Sequence, residues 1–208
     1  MKVVVIGAGG PLGLAVLRRS IVENHTVTAI ARRPDSFEKI DGVTSAAGDV
    51  LNLAFLEAAL TDQDCVICVL GTPWSRKATT LLSEGTRNIM EAMKRNDVRR
   101  LVCVTGIGAG DSRGHGGWLY DHIIQPFLLN EIYRDKTRQE AVIRASDRQW
   151  VIVRPAQLTN GPATGRYRVA TDLTGVVAKT ISRADVAEFL VRQLVSDEYL
   201  GMTPVLTY

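Results

Sequence analysis

Three glycines at intervals of three, Gly7, Gly10 and Gly13, follow directly on the β-branched run Val3-Val4-Val5-Ile6, and residues in that pattern can hold phosphate. In a strand, tight turn and helix start of this kind, one glycine makes the bend and another lets phosphates approach the backbone. The third lets helix and strand pack closely. The middle of the turn, Gly9-Gly10-Pro11-Leu12, carries no hydroxyl. The grip must come from backbone N–H groups and the positive end of the following helix, so the expected ligand is a dinucleotide pyrophosphate.

Other strand ends could complete the site. The second apolar run ends in Ala31-Arg32-Arg33-Pro34, where a site for NAD would carry an acidic residue for the ribose 2′-hydroxyl. Two guanidinium groups instead match a 2′-phosphate in charge and geometry, so NADPH is expected; the alternative is a pair of solvated loop arginines. In Gly48-Asp49-Val50, Asp49 either accepts from an adenine amino group while Val50 packs on the ring, or caps the next helix. In Leu70-Gly71-Thr72-Pro73, the glycine lets the chain pass close to ribose and phosphates. Trp74, just beyond, is either a stacking residue at the cofactor's edge or a half-buried loop aromatic.

Positioning these ends requires alternating strands and helices. Strands are expected at Thr26–Ile30, Thr44–Ala47, Asp64–Leu70, Arg99–Thr105 and Trp150–Arg154, with a weaker one near Pro204–Thr207. Helices are expected at Leu12–Val22, Leu53–Ala59, Thr79–Arg95, Leu119–Ala145 and Arg183–Leu194. Leu82, Thr86, Ile89 and Met93 form a helical stripe that reads as core. The expectation is an α/β chain forming one Rossmann domain over residues 1–208, a doubly wound parallel sheet flanked by helices.

Composition narrows the function. A net charge of +3 with interleaved signs gives nucleic-acid binding little support. Met1-Lys2 leads straight into a needed strand and no apolar stretch is of membrane-spanning length, so a cytoplasmic location is expected, with no membrane partner. Cys65, Cys68 and Cys103 lie in apolar runs and read as reduced core thiols. A Cys65–Cys68 bridge is not expected, since along a strand their alpha carbons would be about 10 Å apart on opposite faces. His25, His115 and His122 are scattered, and no metal site is expected.

The glycine turn, Arg32, Gly48-Asp49-Val50, Leu70-Gly71-Thr72, Ser83-Glu84-Gly85-Thr86-Arg87-Asn88-Ile89, Ile181-Ser182-Arg183-Ala184-Asp185-Val186 and Ser196-Asp197-Glu198-Tyr199 together resemble an atypical short-chain dehydrogenase/reductase. The likeness is to the NAD(P)H-binding, NmrA-like proteins, close to the flavin reductase (biliverdin reductase B) group, and extends over nearly the whole chain. It implies an NADPH-dependent reductase that passes a hydride to a flat conjugated acceptor such as a flavin or linear tetrapyrrole. It also implies that Arg32 binds the 2′-phosphate and that Thr105, Pro155 and Ala156 lie beside the nicotinamide half.

The departures bear on mechanism. Gly106 stands where the group has a serine, and Gln157 where it has a histidine. Tyr133 and Lys136 are three residues apart rather than four; if Lys136 keeps the family lysine's place, Ile132 takes the tyrosine's. With no evident proton donor, tyrosine-relayed ketone reduction is disfavoured. A flavin or quinone-like ring spreads charge and takes its proton from water, so stacking matters most. The candidate catalytic residues are Lys136, which either bonds the nicotinamide ribose or is a plain surface lysine, and Thr105, which either bonds substrate or ends its strand. Ile107, Trp118 and Gln157 are assigned to the acceptor, and Tyr133 is a weak candidate acid. The glycine-rich loop 106–118 is expected to be a mobile lid in which His115 either gives a proton or is idle; 156–168 forms a second substrate-side loop. The rival readings are a non-catalytic dinucleotide sensor and a carbonyl-reducing short-chain enzyme. Either a monomer or a small homo-oligomer fits.

Overall fold

A segment such as Lys2–Ile6 (β1), β-branched and with no polar face, is stable only with strands on both edges and helices on both sides. The computed structural model describes residues 1–36, 38–73 and 77–208. Along the chain follow α1 (Pro11–Val22), β2 (Thr26–Ala31), β3 (Val43–Ala47), α2 (Leu53–Ala59), β4 (Cys65–Cys68), α3 (Leu81–Arg95), β5 (Arg100–Val104), α4 (Asn130–Arg144) and β6 (Gln149–Pro155). The short strands β7 (Gln157–Thr159), β8 (Arg168–Ala170) and β9 (Thr180–Ser182) come next, then α5 (Arg183–Arg192) and β10 (Val205–Thr207).

Eight strands form one sheet in the order β3-β2-β1-β4-β5-β6-β10-β8, all parallel except for the antiparallel β8. Val3–Ile6 sits in register between Val27–Ile30 and Cys65–Cys68. Alternate β1 side chains enter opposite cores. Val3 and Val5 pack with Leu12 and Val16 of α1 and Phe189 and Leu190 of α5. Val4 and Ile6 pack with Leu56 of α2, Ile89 and Met93 of α3 and Ile143 of α4. This is a Rossmann fold, and its strand order reverses between β1 and β4, opening a crevice at their carboxyl ends.

The α3 stripe of Leu82, Thr86, Ile89 and Met93 is buried. Its first turn is capped from another helix: Asp135 of α4 accepts from the Leu82 N–H at 2.8 Å and the Ser83 hydroxyl at 2.5 Å. Cys65 and Cys68 enter opposite cores, and burial pushes the Cys65 thiol up to about 11. Cys68 stands opposite Cys103 in the β4–β5 pairing.

Two parts differ from the sequence expectation. The helix expected over Leu119–Ala145 is a wide π-type helix at Tyr120–Leu129, containing Pro126, followed by α4. Strands β7 and β9 form a separate parallel ribbon, and β8 edges the main sheet; at three residues each they are too short to leave a periodic signal. Among the described residues no helix is long and apolar enough to cross a membrane, and no three His, Cys, Asp or Glu side chains gather as a metal site.

Candidate active site

The crevice at the β1–β4 reversal is a cleft of about 540 Å³. Gly7 bends the chain at φ +89°, and a Cβ there would lie 2.7 Å from the Val69 carbonyl oxygen. A Cβ on Gly13 would lie 2.5 Å from the Gly7 carbonyl oxygen, so this glycine lets α1 approach β1. Gly10 is the N-cap of α1, with Pro11 next, no capping side chain and no acidic residue in the first turn. The Leu12 and Gly13 N–H groups have no acceptor inside the helix; with Gly9 and Gly10 they line the cleft.

The expected cofactor residues that follow β2, β3 and β4 line the same cleft. Arg32 and Arg33 are exposed there at the tip of β2. Asp49 is not the cap of α2: its Oδ1 accepts from the Leu51 N–H at 2.9 Å, while Asn52 caps the helix through the Phe55 N–H at 3.1 Å. Val50 packs over Gly85, and its carbonyl accepts from Asn88 at 3.0 Å. Leu70, Gly71 and Thr72 follow β4; a Cβ on Gly71 would meet nothing within 4 Å. Among the described residues, the buried Thr72 hydroxyl has no hydrogen-bond partner. An open cradle, uncapped amides and an orphaned hydroxyl fit a dinucleotide. Trp74 lies outside the described residues.

A second cleft of about 670 Å³ meets the first at Thr105, Lys136 and Arg183. Lys136 donates to the Thr105 carbonyl at 2.5 Å, and its Nζ stands 4.6 Å from the centre of the Tyr133 ring. Gly106 adopts φ +143°, and a Cβ there would lie 3.1 Å from the Tyr133 hydroxyl and 3.2 Å from Lys136 Nζ. Tyr120 donates to the Ile107 carbonyl at 3.4 Å and its ring stands edge-on to Tyr133; burial, with Tyr133 beside it, pushes the Tyr120 phenol far up. Pro155, Ala156, Ile107 and the exposed Gln157 also line this cleft. Trp118 stands at its mouth, 70% exposed and stacked on His122.

A profile of the NAD(P)H-binding family matches residues 7–197. The chain belongs to this NAD(P)H-binding family. A relative named an uncharacterized sugar epimerase, YhfK of Bacillus subtilis, is 28% identical, the alignment covering 93% of this chain and 88% of the relative. A Rossmann-fold NAD(P)-binding family protein from Shigella flexneri is 26% identical, with a TM-score of 0.74, over 100% of this chain and 93% of that one. The fold is shared at TM-score 0.84 with ChuY, an anaerobilin reductase from Escherichia coli O157:H7, which is 22% identical, over 100% and 97% of the two chains. A short-chain dehydrogenase/reductase from Veillonella parvula, in complex with NADP, aligns with a TM-score of 0.81 at 18% identity, over 100% and 94%.

Within this member of the NAD(P)H-binding family, three expectations change. The Thr105 hydroxyl does not reach an acceptor: it is buried and donates to Glu140 at 2.7 Å, leaving the carbonyl to act on Lys136. The loop 106–118 is tethered rather than free. Ser112 is buried and bonds Gly108 and Ala109, Gln125 donates to the Gly108 carbonyl at 2.8 Å, and the Gly110 N–H donates to Thr137 at 3.1 Å. His115 is held by the Val176 carbonyl at 3.1 Å, away from the cleft lining. Tyr133, a weak candidate acid from sequence, lines the second cleft. Residues three apart on a helix share a face, so it stands with Lys136 while Ile132 turns into the core.

Proposed function

We propose that the protein is an NADPH-dependent reductase acting on a flat conjugated acceptor, such as a flavin, a quinone-like ring or a tetrapyrrole. The observation that carries this reading is the meeting of an aromatic-walled cleft with the dinucleotide cleft at Thr105 and Lys136. Bound NADPH would supply the hydride. The Leu12 and Gly13 amides hold its pyrophosphate, Arg32 and Arg33 receive the 2′-phosphate, and Lys136 bonds the nicotinamide ribose. Ile107, Tyr120 and Trp118 wall the acceptor against water, and Gln157 donates to a carbonyl on its rim. Lys136, Lys179 and Arg183 line the acceptor cleft together with no carboxylate, an arrangement that favours negative charge growing on the acceptor. Fold neighbours named as an anaerobilin reductase and as an NADP complex point the same way.

A second reading, carbonyl reduction, is favoured by the Tyr133 hydroxyl beside Lys136. NADPH oxidation measured against FMN, FAD, quinones, biliverdins and simple aldehydes, with NADH in parallel, separates the two. Tyr133→Phe should leave turnover of flat acceptors within about threefold, yet cost an aldehyde reductase about 100-fold or more. Tight NADPH binding without turnover on any acceptor would replace both readings with that of a dinucleotide sensor.

A further inference from the structure

Behind Lys136 runs a buried polar line that the cofactor and acceptor assignments do not use. Arg154, 1% exposed, meets Glu140, 2% exposed, in a two-pronged pair, with Nε to Oε1 at 2.9 Å and Nη2 to Oε2 at 2.6 Å. The third Arg154 nitrogen, Nη1, pairs with Asp111 of the glycine-rich loop at 2.5 Å. Arg144 adds a longer contact to Glu140, at 3.6 Å. Glu140 Oε1 also accepts the Thr105 hydroxyl at 2.7 Å, and the Thr105 carbonyl accepts from Lys136 at 2.5 Å. Gly110 makes room for this line: at φ +54°, a Cβ there would come within 2.8 Å of both Arg154 Nη2 and Glu140 Oε2.

An ion pair buried this deeply is weak as a source of stability, because apolar side chains of similar size often serve as well. What it supplies is direction. A two-pronged guanidinium fixes the carboxylate plane, the carboxylate fixes the Thr105 rotamer, and the strand end carrying that rotamer presents the carbonyl to Lys136. We propose that Glu140 and Arg154 are positioning residues: through Thr105 they aim the Lys136 ammonium at the junction of the two clefts, and through Asp111 they bind the loop 106–118 to the same setting. The proposal rests on the role given to Lys136 in the reductase reading.

Thr105→Val tests it, since valine keeps the shape, removes the donor and leaves the Arg154–Glu140 pair intact; Thr105→Ser keeps the donor. With the best acceptor found, Thr105→Val should lower kcat by about tenfold or more while Thr105→Ser stays within about threefold of the parent. A second readout needs no cofactor. Acetylation of Lys136, followed by mass spectrometry in the ligand-free protein with Lys94 as internal reference, should rise about threefold or more in Thr105→Val and in Asp111→Asn, but not in Thr105→Ser. Unchanged Lys136 reactivity in Thr105→Val, or equal changes in the serine and valine variants, would overturn the positioning role. A Lys136→Ala variant with normal turnover would instead remove Lys136 from the reductase reading, while the acetylation result would still decide the proposal.

Discussion

Substituting alanine separately at Gly10 and Gly13 separates what the glycine turn does for the fold from what it does for the ligand. At Gly13 the added Cβ would sit 2.5 Å from the Gly7 carbonyl oxygen, 2.6 Å from the Ala8 carbonyl oxygen and 2.7 Å from Ala8 Cα, all backbone atoms. Relief requires α1 to retreat from β1 by roughly 0.5–1 Å, and overpacking of this kind costs about 1–3 kcal/mol. In a chain of this size that is a Tm fall of roughly 2–12 °C. At Gly10 the nearest atom to an added Cβ is 3.7 Å away, and φ −84°, ψ 161° suits alanine. Losing glycine at an N-cap costs about 1 kcal/mol or less. The Gly10 methyl would instead fill the space through which a pyrophosphate approaches the Leu12 and Gly13 amides. Loss of one hydrogen bond to a charged group, about 1.5–3 kcal/mol, weakens binding about 10- to 100-fold. Thermal unfolding and NADPH fluorescence titration should therefore diverge: Gly10→Ala nearly as stable as the parent but poor in binding, Gly13→Ala impaired in both. A Gly10→Ala protein that binds NADPH as tightly as the parent would refute the placement of the pyrophosphate on α1.

Arg32→Ala should raise KM for NADPH about 10- to 100-fold and that for NADH about twofold or less, measured by steady-state oxidation; equal effects would remove the 2′-phosphate contact. Trp118→Ala should raise the acceptor KM several-fold without changing NADPH affinity, and unchanged acceptor kinetics would sink the aromatic wall. Asp185, buried at the start of α5, would have its carboxyl pushed up by burial, but hydrogen bonds from Tyr208, Gly165 and Thr164 outweigh that and hold it below its ordinary 3.8. Its contribution is complete above the ordinary value and fades as pH falls through the lowered one, so urea unfolding of Asp185→Asn should show less acid sensitivity below about pH 4 and a deficit of about 2 kcal/mol at pH 7. Gly106→Ser, which introduces the serine of the flavin reductase group that the sequence resembles, should lower turnover and Tm together, because φ +143° strains any side chain and its Cβ would crowd Tyr133 and Lys136.

Much of the fold was legible because β1, β4, β5 and β6 are short apolar runs, buried on both faces, separated by turn residues and by helices such as α3, whose apolar stripe is buried. The lining of the first cleft was legible for the same reason: Gly7, Arg32, Asp49 and Gly71 each follow a strand, where an open α/β sheet builds its crevice. The second cleft was less so. The hydroxyl of Thr105 reads from sequence as a free group at a strand end, and only the packing of α4 against β5 and β6 reveals that Glu140, thirty-five positions on, takes it. Local spacing carries no trace of such a partner. The glycines of the loop 106–118 suggested freedom, whereas Ser112 inside the loop and Gln125 beyond it fasten Gly108, a pairing that local spacing does not show.

Tyr133 stands in the second cleft although the positions compared singly show only losses. The absent serine at Gly106 and the absent tyrosine at Ile132 look like two deletions when the positions are compared singly. In space they are one exchange. Without a Cβ, position 106 can take a backbone angle barred to serine, and the volume so released is bounded by the Tyr133 hydroxyl and Lys136 Nζ. The phenol is one helical step from the family tyrosine's place, on the face that still carries the lysine. Tyr120 packs edge-on against its ring, with the Tyr120 hydroxyl held by the Ile107 carbonyl. The pair thus sets a hydroxyl and a cation in the second cleft, where it meets the first at Lys136, so the acceptor's need for a proton, rather than the presence of a hydroxyl, separates the two proposed reductase readings.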